Sequence, residues 1–201
     1  MFNKYEYIDP DYTYTDPKTG VLRNIFNIAD QNDLLFLESA VVIKRIKELK
    51  LQPIIIDKTE TLFAIHKHLF QDVYEWAGEK RKVEISKNGK QFFPLSHFNT
   101  AFSYIDRLIG EYRIIQKNEK GKIAIKLAEI LDNLNYLHPF REGNGRTQRE
   151  FIRVLALERS YILNLNPPDN ADVYERYMSG TIDGDVGKLA ELIEELLEKN
   201  H

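Results

Sequence analysis

Apolar positions recur at helical spacing through most of the 201-residue chain. From Asp33 onward Leu35, Val42, Ile46 and Leu49 share one face, Asp30 is a candidate N-cap, and Leu51-Gln52-Pro53 ends the segment. "TLFAIHKHLFQ" predicts a second helix over about 59–71. The period then changes: Val83 and Ile85 alternate with polar residues, and Asn88-Gly89 offers a type I′ turn. This predicts a short β-hairpin over about 82–93, closed by Pro94. Helical spacing returns over about 96–116 and 121–137, the latter preceded by Gly121 and carrying Ile123, Leu127, Ile130, Leu131 and Leu134 on one face. A further helix begins near Asn144-Gly145 and continues through "RTQREFIRVLALERS". "NPPDN" at 166–170 breaks the chain; a short helix over about 170–178, a loop "SGTIDGD" and a final helix with Leu189, Leu192, Ile193, Leu196 and Leu197 follow.

The first 29 residues are rich in Tyr, Asp and turn signals and predict an extended arm, which Tyr5, Tyr7, Tyr12 and Tyr14 could hold against the remainder. The expected fold is therefore mainly α, with an N-terminal arm (1–29) and a single helical domain (30–201) carrying one β-hairpin.

Composition changes this picture only by exclusion. Lys and Arg number 28 against 31 Asp and Glu, and the net charge of −3 gives no global reason to bind nucleic acid or membrane. Without cysteine there is neither a disulfide framework nor a thiolate metal site. No apolar run approaches the roughly 20 residues of a membrane span, and "MFNKYEYIDPDY" lacks the apolar stretch of a secretory signal. The expectation is a soluble, cytoplasmic bacterial protein, with export by a specialised secretion system still open.

One stretch is too polar and too glycine-rich for packing: "YLHPFREGNGRTQRE", residues 136–150. His138 precedes Pro139, so the preceding helix should end there. Gly143 and Gly145 flank Asn144 where the next helix begins, and a helix N-terminus with accessible N–H groups favours anions. Arg146 and Arg149 are three apart and share a helix face. Two guanidinium groups beside such amides suit a polyphosphate. Glu142 would repel that polyphosphate unless a divalent cation lay between, and Mg²⁺ commonly takes one or two carboxylates plus substrate phosphates. His138 is placed to act as a general base for an incoming hydroxyl. The alternative is a solvated salt-bridge cluster, but two arginines in a first turn oppose the helix dipole.

"HPFREGNGRTQR" resembles the motif of the Fic (filamentation induced by cAMP) domain family, HPFx(D/E)GNGRxxR, at every fixed position. The upstream "LFQDVYEWAGEKR" at 69–81 is similar to the segment leading into the family's hairpin, called the flap, and the resemblance extends over roughly residues 30–195. It implies a Fic-type helical domain and a protein adenylyltransferase, which moves AMP from ATP to a Ser, Thr or Tyr hydroxyl and releases pyrophosphate. In that reading His138 takes the proton, Glu142 holds Mg²⁺, and Gly143, Asn144 and Gly145 hold the α-phosphate. Arg146 contacts the β-phosphate and Arg149 the γ-phosphate, Phe140 anchors the loop, and Arg141 receives no role. The flap presents an edge to which a target segment adds as a strand. Lys90, Gln91 and Phe92 are expected near the nucleotide, and Tyr174 by position resembles the aromatic lining the adenine pocket.

Other readings stay open here: transfer of UMP, phosphate or phosphocholine, or an inactive binding module. His66 and His68, two apart, are read as satisfied polar residues rather than ligands, and His97 and His201 carry no signal. The family's inhibitory pattern, (S/T)xxxE(G/N), is missing. Ser179-Gly180-Thr181-Ile182-Asp183-Gly184 imitates it with Asp for Glu, and its glycines argue against a helix. The expectation is a toxin held by a separate small antitoxin whose glutamate meets Arg149.

Overall fold

The computed structural model describes residues 5–8, 11–87, 89–166 and 169–200. Asn88 of the predicted turn, Pro167 and Pro168 of the predicted break, His201, and the side chains of Tyr5 and Tyr7 lie outside the described residues. The fold is mainly helical, as the hydrophobic periods predict, and it divides into two compact units. One comprises Met1–Ile55, Glu60–Phe98 and His138–Thr147; the other comprises Ile56–Thr59, Asn99–Leu137 and Gln148–His201.

In the first unit, the Asp30 carboxylate accepts the N–H groups of Asn32 and Asp33 and so starts helix α1, Gln31–Leu51. The buried face of α1 is Leu34, Glu38, Val42 and Leu49. Leu35, expected on that face, is 57% exposed. Glu38 lies in the middle of the true buried stripe, and a charged residue there hides it from a count of apolar spacings. Helix α2, Thr61–Phe70, buries Leu62, Ile65, His66, Leu69 and Phe70.

The hairpin forms as expected, but as part of a larger sheet. Strand β1 (Tyr5–Ile8) pairs antiparallel with β2 (Glu84–Lys87), which pairs antiparallel with β3 (Lys90–Gln91). The arm thus contributes a strand and covers one edge of the hairpin, leaving β3 as the hairpin's outer strand. Tyr14 is buried, its hydroxyl accepts the Lys82 N–H at 2.9 Å and its ring meets Trp76 edge-on; Tyr12 is exposed.

The second unit is built from α3 (Phe98–Ile114), α4 (Lys120–Leu137), α5 (Asn144–Glu158), α6 (Ala171–Asp183) and α7 (Val186–Leu196), with β4 (Tyr161–Ile162) paired to β5 (Glu198–Lys199). Phe98 and the first turn of α5, through Thr147, belong to the first unit. The predicted face of α4 is buried and packs against α7, which offers Leu189, Leu192 and Ile193. The Tyr112 hydroxyl donates to Leu155 O at 2.6 Å, and the Gln148 side-chain amide donates to Leu134 O at 3.0 Å.

The predicted loop "SGTIDGD" is instead the second half of α6. A Cβ at Gly180 would lie 2.7 Å from the Leu189 side chain, so glycine is what lets α7 approach. The Thr181 hydroxyl donates back to Tyr177 O. Only Gly184, at φ +66°, ends the helix, and Asp185 then caps α7 by accepting the Lys188 N–H. Local glycine propensity lost here to tertiary packing.

Candidate active site

Helix α4 stops at Leu137, one residue before His138, as the following proline predicts. The backbone of His138 then takes φ +44°, a left-handed value that L-residues adopt only under constraint. Gly143 follows at φ +81°. A Cβ on it would lie 2.4 Å from Phe70 Cζ, so both the backbone and the space demand glycine. Between them the Asn144 side chain clips the loop shut: its Oδ1 accepts the Phe140 N–H at 3.0 Å and its Nδ2 donates to Phe140 O at 2.8 Å. The Thr147 hydroxyl donates to Gly143 O and closes the first turn of α5.

Beneath the loop lies a column of rings. Phe140, buried, stacks on His66 at 3.8 Å and meets Phe63 edge-on. His66 in turn lies 4.6 Å from the Phe70 ring, and the Arg146 guanidinium sits over Phe70 at 4.7 Å. His66 is fully buried, and both ring nitrogens are used. Nδ1 accepts the Gly78 N–H at 2.8 Å, so the ring proton is on Nε2, which donates to Glu142 O at 3.0 Å. Burial pushes its pKa down from 6.5 to about 3, with nearby Arg146 adding to the fall, so the ring is neutral. His66 is a satisfied polar residue, as expected, yet its partner is the carbonyl of Glu142, 76 positions away.

The charged side chains of the motif are held in distinct ways. Arg146 Nη1 lies 2.6 Å from the carboxylate of buried Glu38, and its Nη2 lies 3.7 Å from Glu142 Oε1. Glu38 also accepts the Tyr74 hydroxyl. Burial, with Glu38 adding to it, pushes the Tyr74 pKa far above its ordinary value, so that hydroxyl keeps its proton. Glu142 Oε1 accepts the Gly143 N–H at 2.8 Å, and the Glu142 side chain is 37% exposed. In the second unit the Arg149 guanidinium lies over the rings of Tyr177, at 5.4 Å, and Tyr174, at 5.8 Å. Gly145 and Arg146 are half-buried in the first turn of α5.

From the flap, Phe92 stacks on the His138 ring at 3.9 Å and 20°. Lys90 and Gln91 are exposed on β3. The structure therefore brings His138, Glu142, Gly143, Asn144, Gly145, Arg146 and Phe92 together within the first unit. Arg149 follows on α5, with Tyr174 against it.

Two residues that sequence reasoning passed over shape this site. Glu38 could have been found, since a carboxylate between Leu34 and Val42 at helical spacing signals a buried charge with a partner. Arg81 carried no local signal at all. It is 1% exposed and bonds to both the loop and the flap. Among the described residues no group of three His, Cys, Asp or Glu side chains could hold a metal ion, and no helix is long and apolar enough to cross a membrane.

The geometry can be set beside known proteins. The sequence model of the Fic/DOC family matches residues 56–156. The chain is 39% identical over 150 residues to the protein adenylyltransferase VbhT of Bartonella schoenbuchensis, covering 74% of this chain and 31% of that protein. It is 34% identical over 183 residues to the probable protein adenylyltransferase y4lH of Sinorhizobium fredii, covering 89% of this chain and 93% of that one. The chain thus spans about a third of VbhT and nearly all of y4lH. The fold is similar to that of the VirB-translocated effector BepC of Bartonella tribocorum, solved with bound AMPPNP. That match has a TM-score of 0.82 at 20% identity and covers 94% of this chain and 98% of that one. With half of its length matched by the family model and a relative of comparable length at 34% identity, the chain belongs to the Fic/DOC family.

Proposed function

We propose that this chain is a protein adenylyltransferase, transferring AMP from ATP to a Ser, Thr or Tyr hydroxyl of a target protein. The observation that carries the reading is the pairing of an imidazole with an anion site in one loop. His138 is held in a constrained backbone under Phe92, and four to eight residues later Glu142 and Arg146 stand at the start of a helix. That arrangement suits in-line attack on a phosphorus atom. His138 accepts the proton of the target hydroxyl, the oxygen attacks the α-phosphorus, and the bond to the bridging oxygen breaks to release pyrophosphate.

The helix start and Arg146 serve the phosphates. Glu38 fixes one arm of the Arg146 guanidinium, and a group held in advance in this way suits a β-phosphate contact. Arg149 serves the γ-phosphate, and the Tyr174 ring against it suits an adenine or ribose wall. The Gly143 N–H is engaged by Glu142 and one Asn144 Nδ2 hydrogen by Phe140 O, so the α-phosphate relies on the second Nδ2 hydrogen and the first amides of α5. Glu142, a partly exposed single carboxylate beside an arginine, fits Mg²⁺ that takes its other ligands from phosphate and water. When bound there, Mg²⁺ would neutralise phosphate charge beside Glu142.

Since β1 covers β2, a target strand would add along β3. Phe92 N–H bonds Ile85 O and Ser86 faces Gln91, so by antiparallel alternation the Gln91 main chain points outward to receive it. For control, Asp183 of the imitation motif is helical after all, but its carboxylate is held by Lys188 at 2.9 Å. A separate antitoxin supplying a glutamate to Arg149 therefore remains the favoured brake.

Two experiments test the reading. His138→Ala should abolish AMP transfer, with ATP affinity retained; near-full activity would overturn the assignment. Wild-type chain expressed alone should arrest bacterial growth, His138→Ala should not, and a neighbouring small gene should rescue it. An inert wild-type chain, activated by deleting residues 1–29 or the final helix, would place the brake inside the chain.

A further inference from the structure

Among the described residues Arg81 is the largest fully buried side chain, and every arm of its guanidinium is engaged. Nε donates to His138 O at 3.0 Å. Nη1 donates to Val83 O at 2.7 Å and to the Glu84 carboxylate at 2.8 Å, and Nη2 donates to Phe93 O. The Arg81 backbone N–H donates to Pro139 O at 2.7 Å, and the planar group lies over the Phe98 ring. Glu84 uses its second oxygen to accept the Leu95 N–H at 3.1 Å. One residue thus holds the carbonyls of His138 and Pro139 in the loop and those of Val83 and Phe93 at the two feet of the hairpin.

This arrangement goes beyond packing. His138 needs a partner to stay at φ +44°, and the bond to its carbonyl, with the adjacent bond to Pro139 O, supplies two. Phe93 is the neighbour of Phe92, whose ring lies on the His138 imidazole. Fixing Phe93 O and His138 O on one rigid fork fixes the separation between the flap and the imidazole. The planar fork matters: an ammonium group has three donors on a flexible stem and cannot satisfy four acceptors spread in one plane.

We propose that Arg81 is a positioning residue that sets the orientation of His138 beneath the flap and hence the register of an acceptor hydroxyl against the imidazole. Its importance for transfer rests on the reading of His138 as general base, whereas the positioning itself does not.

The test uses the whole chain with ¹³C-labelled histidine. The His138 ring resonance is identified by its loss in His138→Ala. In the wild type the Phe92 ring current displaces it, and Phe92→Leu reports its position without that ring. Arg81→Lys, measured folded, should move the His138 resonance toward the Phe92→Leu position while those of His66 and His68 stay in place. If Arg81→Lys does not fold, Glu84→Ala, which removes the carboxylate partner of the fork, should move it in the same direction. A His138 resonance unmoved in a folded Arg81→Lys, or unmoved in Glu84→Ala where the first variant fails to fold, overturns the proposal and leaves Arg81 a purely structural residue. In kinetics the folded variant should lose about 10²-fold in kcat for AMP transfer, the scale of a small misplacement, with KM for ATP unchanged. An equal loss in ATP binding would also overturn it. A wild-type chain that transfers no AMP would sink the proposed function while leaving the resonance result to decide this one.

Discussion

His66→Phe keeps a flat ring between Phe140 and Phe70 but removes both hydrogen bonds of the imidazole. The Gly78 N–H then loses its acceptor and Glu142 O its donor. Each buried polar group left unsatisfied costs about 1–3 kcal/mol, so the variant should lose about 2–6 kcal/mol at pH 8. The pH dependence separates this cause from mere repacking. In the native chain His66 has its pKa depressed to about 3, while in the unfolded chain it titrates near 6.5. Below pH 6.5 the unfolded state binds the extra proton, so wild-type stability falls by about 1.4 kcal/mol per unit until the pH nears the folded value. Phenylalanine has no such titration. The gap between wild type and variant should therefore narrow by about 2 kcal/mol between pH 8 and pH 5. Urea denaturation of both chains at the two pH values reads it directly. A gap under about 0.5 kcal/mol at pH 8, or one of equal size at both pH values, would refute the bonding derived for His66.

Gly143→Ala forces a side chain into a left-handed position and against the Phe70 ring; it should cost about 2–5 kcal/mol by chemical denaturation, and a neutral outcome would contradict the loop geometry. Glu38→Ala leaves Arg146 and Tyr74 without their shared carboxylate. It should cost about 2–4 kcal/mol, less than the full loss of a buried partner because Arg146 keeps some water access, and it should raise KM for ATP. Glu142→Ala should abolish the Mg²⁺ dependence of transfer together with the transfer itself, whereas full wild-type activity in a chelator would exclude the cation.

The candidate site was legible because its residues are contiguous: 138–149 carry an imidazole, a carboxylate, amides and arginines in one stretch, and local rules suffice to put them on a loop and a helix start. What was not legible depends on distant partners. Glu38 broke the apolar stripe of α1 for the sake of Arg146, more than a hundred residues on, and so Leu35 was read as buried in place of Leu34. Gly180 looked like a helix breaker because its reason, Leu189 of α7, lies across a helix pair. The strand at Tyr5–Ile8 exists through pairing with residues 84–87, for which no local pattern stands in. His66 and Arg81 bond to carbonyls, and a carbonyl leaves no trace in the identity of the residue that bears it.

In the proposed reaction an imidazole and a polyphosphate site cooperate to move the α-phosphoryl group with its nucleoside. Wild-type chain and His138→Ala should each be incubated with a bacterial lysate and ATP labelled at either the α or the γ position. Protein-bound label is expected from α-labelled ATP with the wild type alone, and none from γ-labelled ATP. Label retained from the γ position would mean phosphate transfer, and equal α label with His138→Ala would mean that His138 is not the base; either result contradicts it.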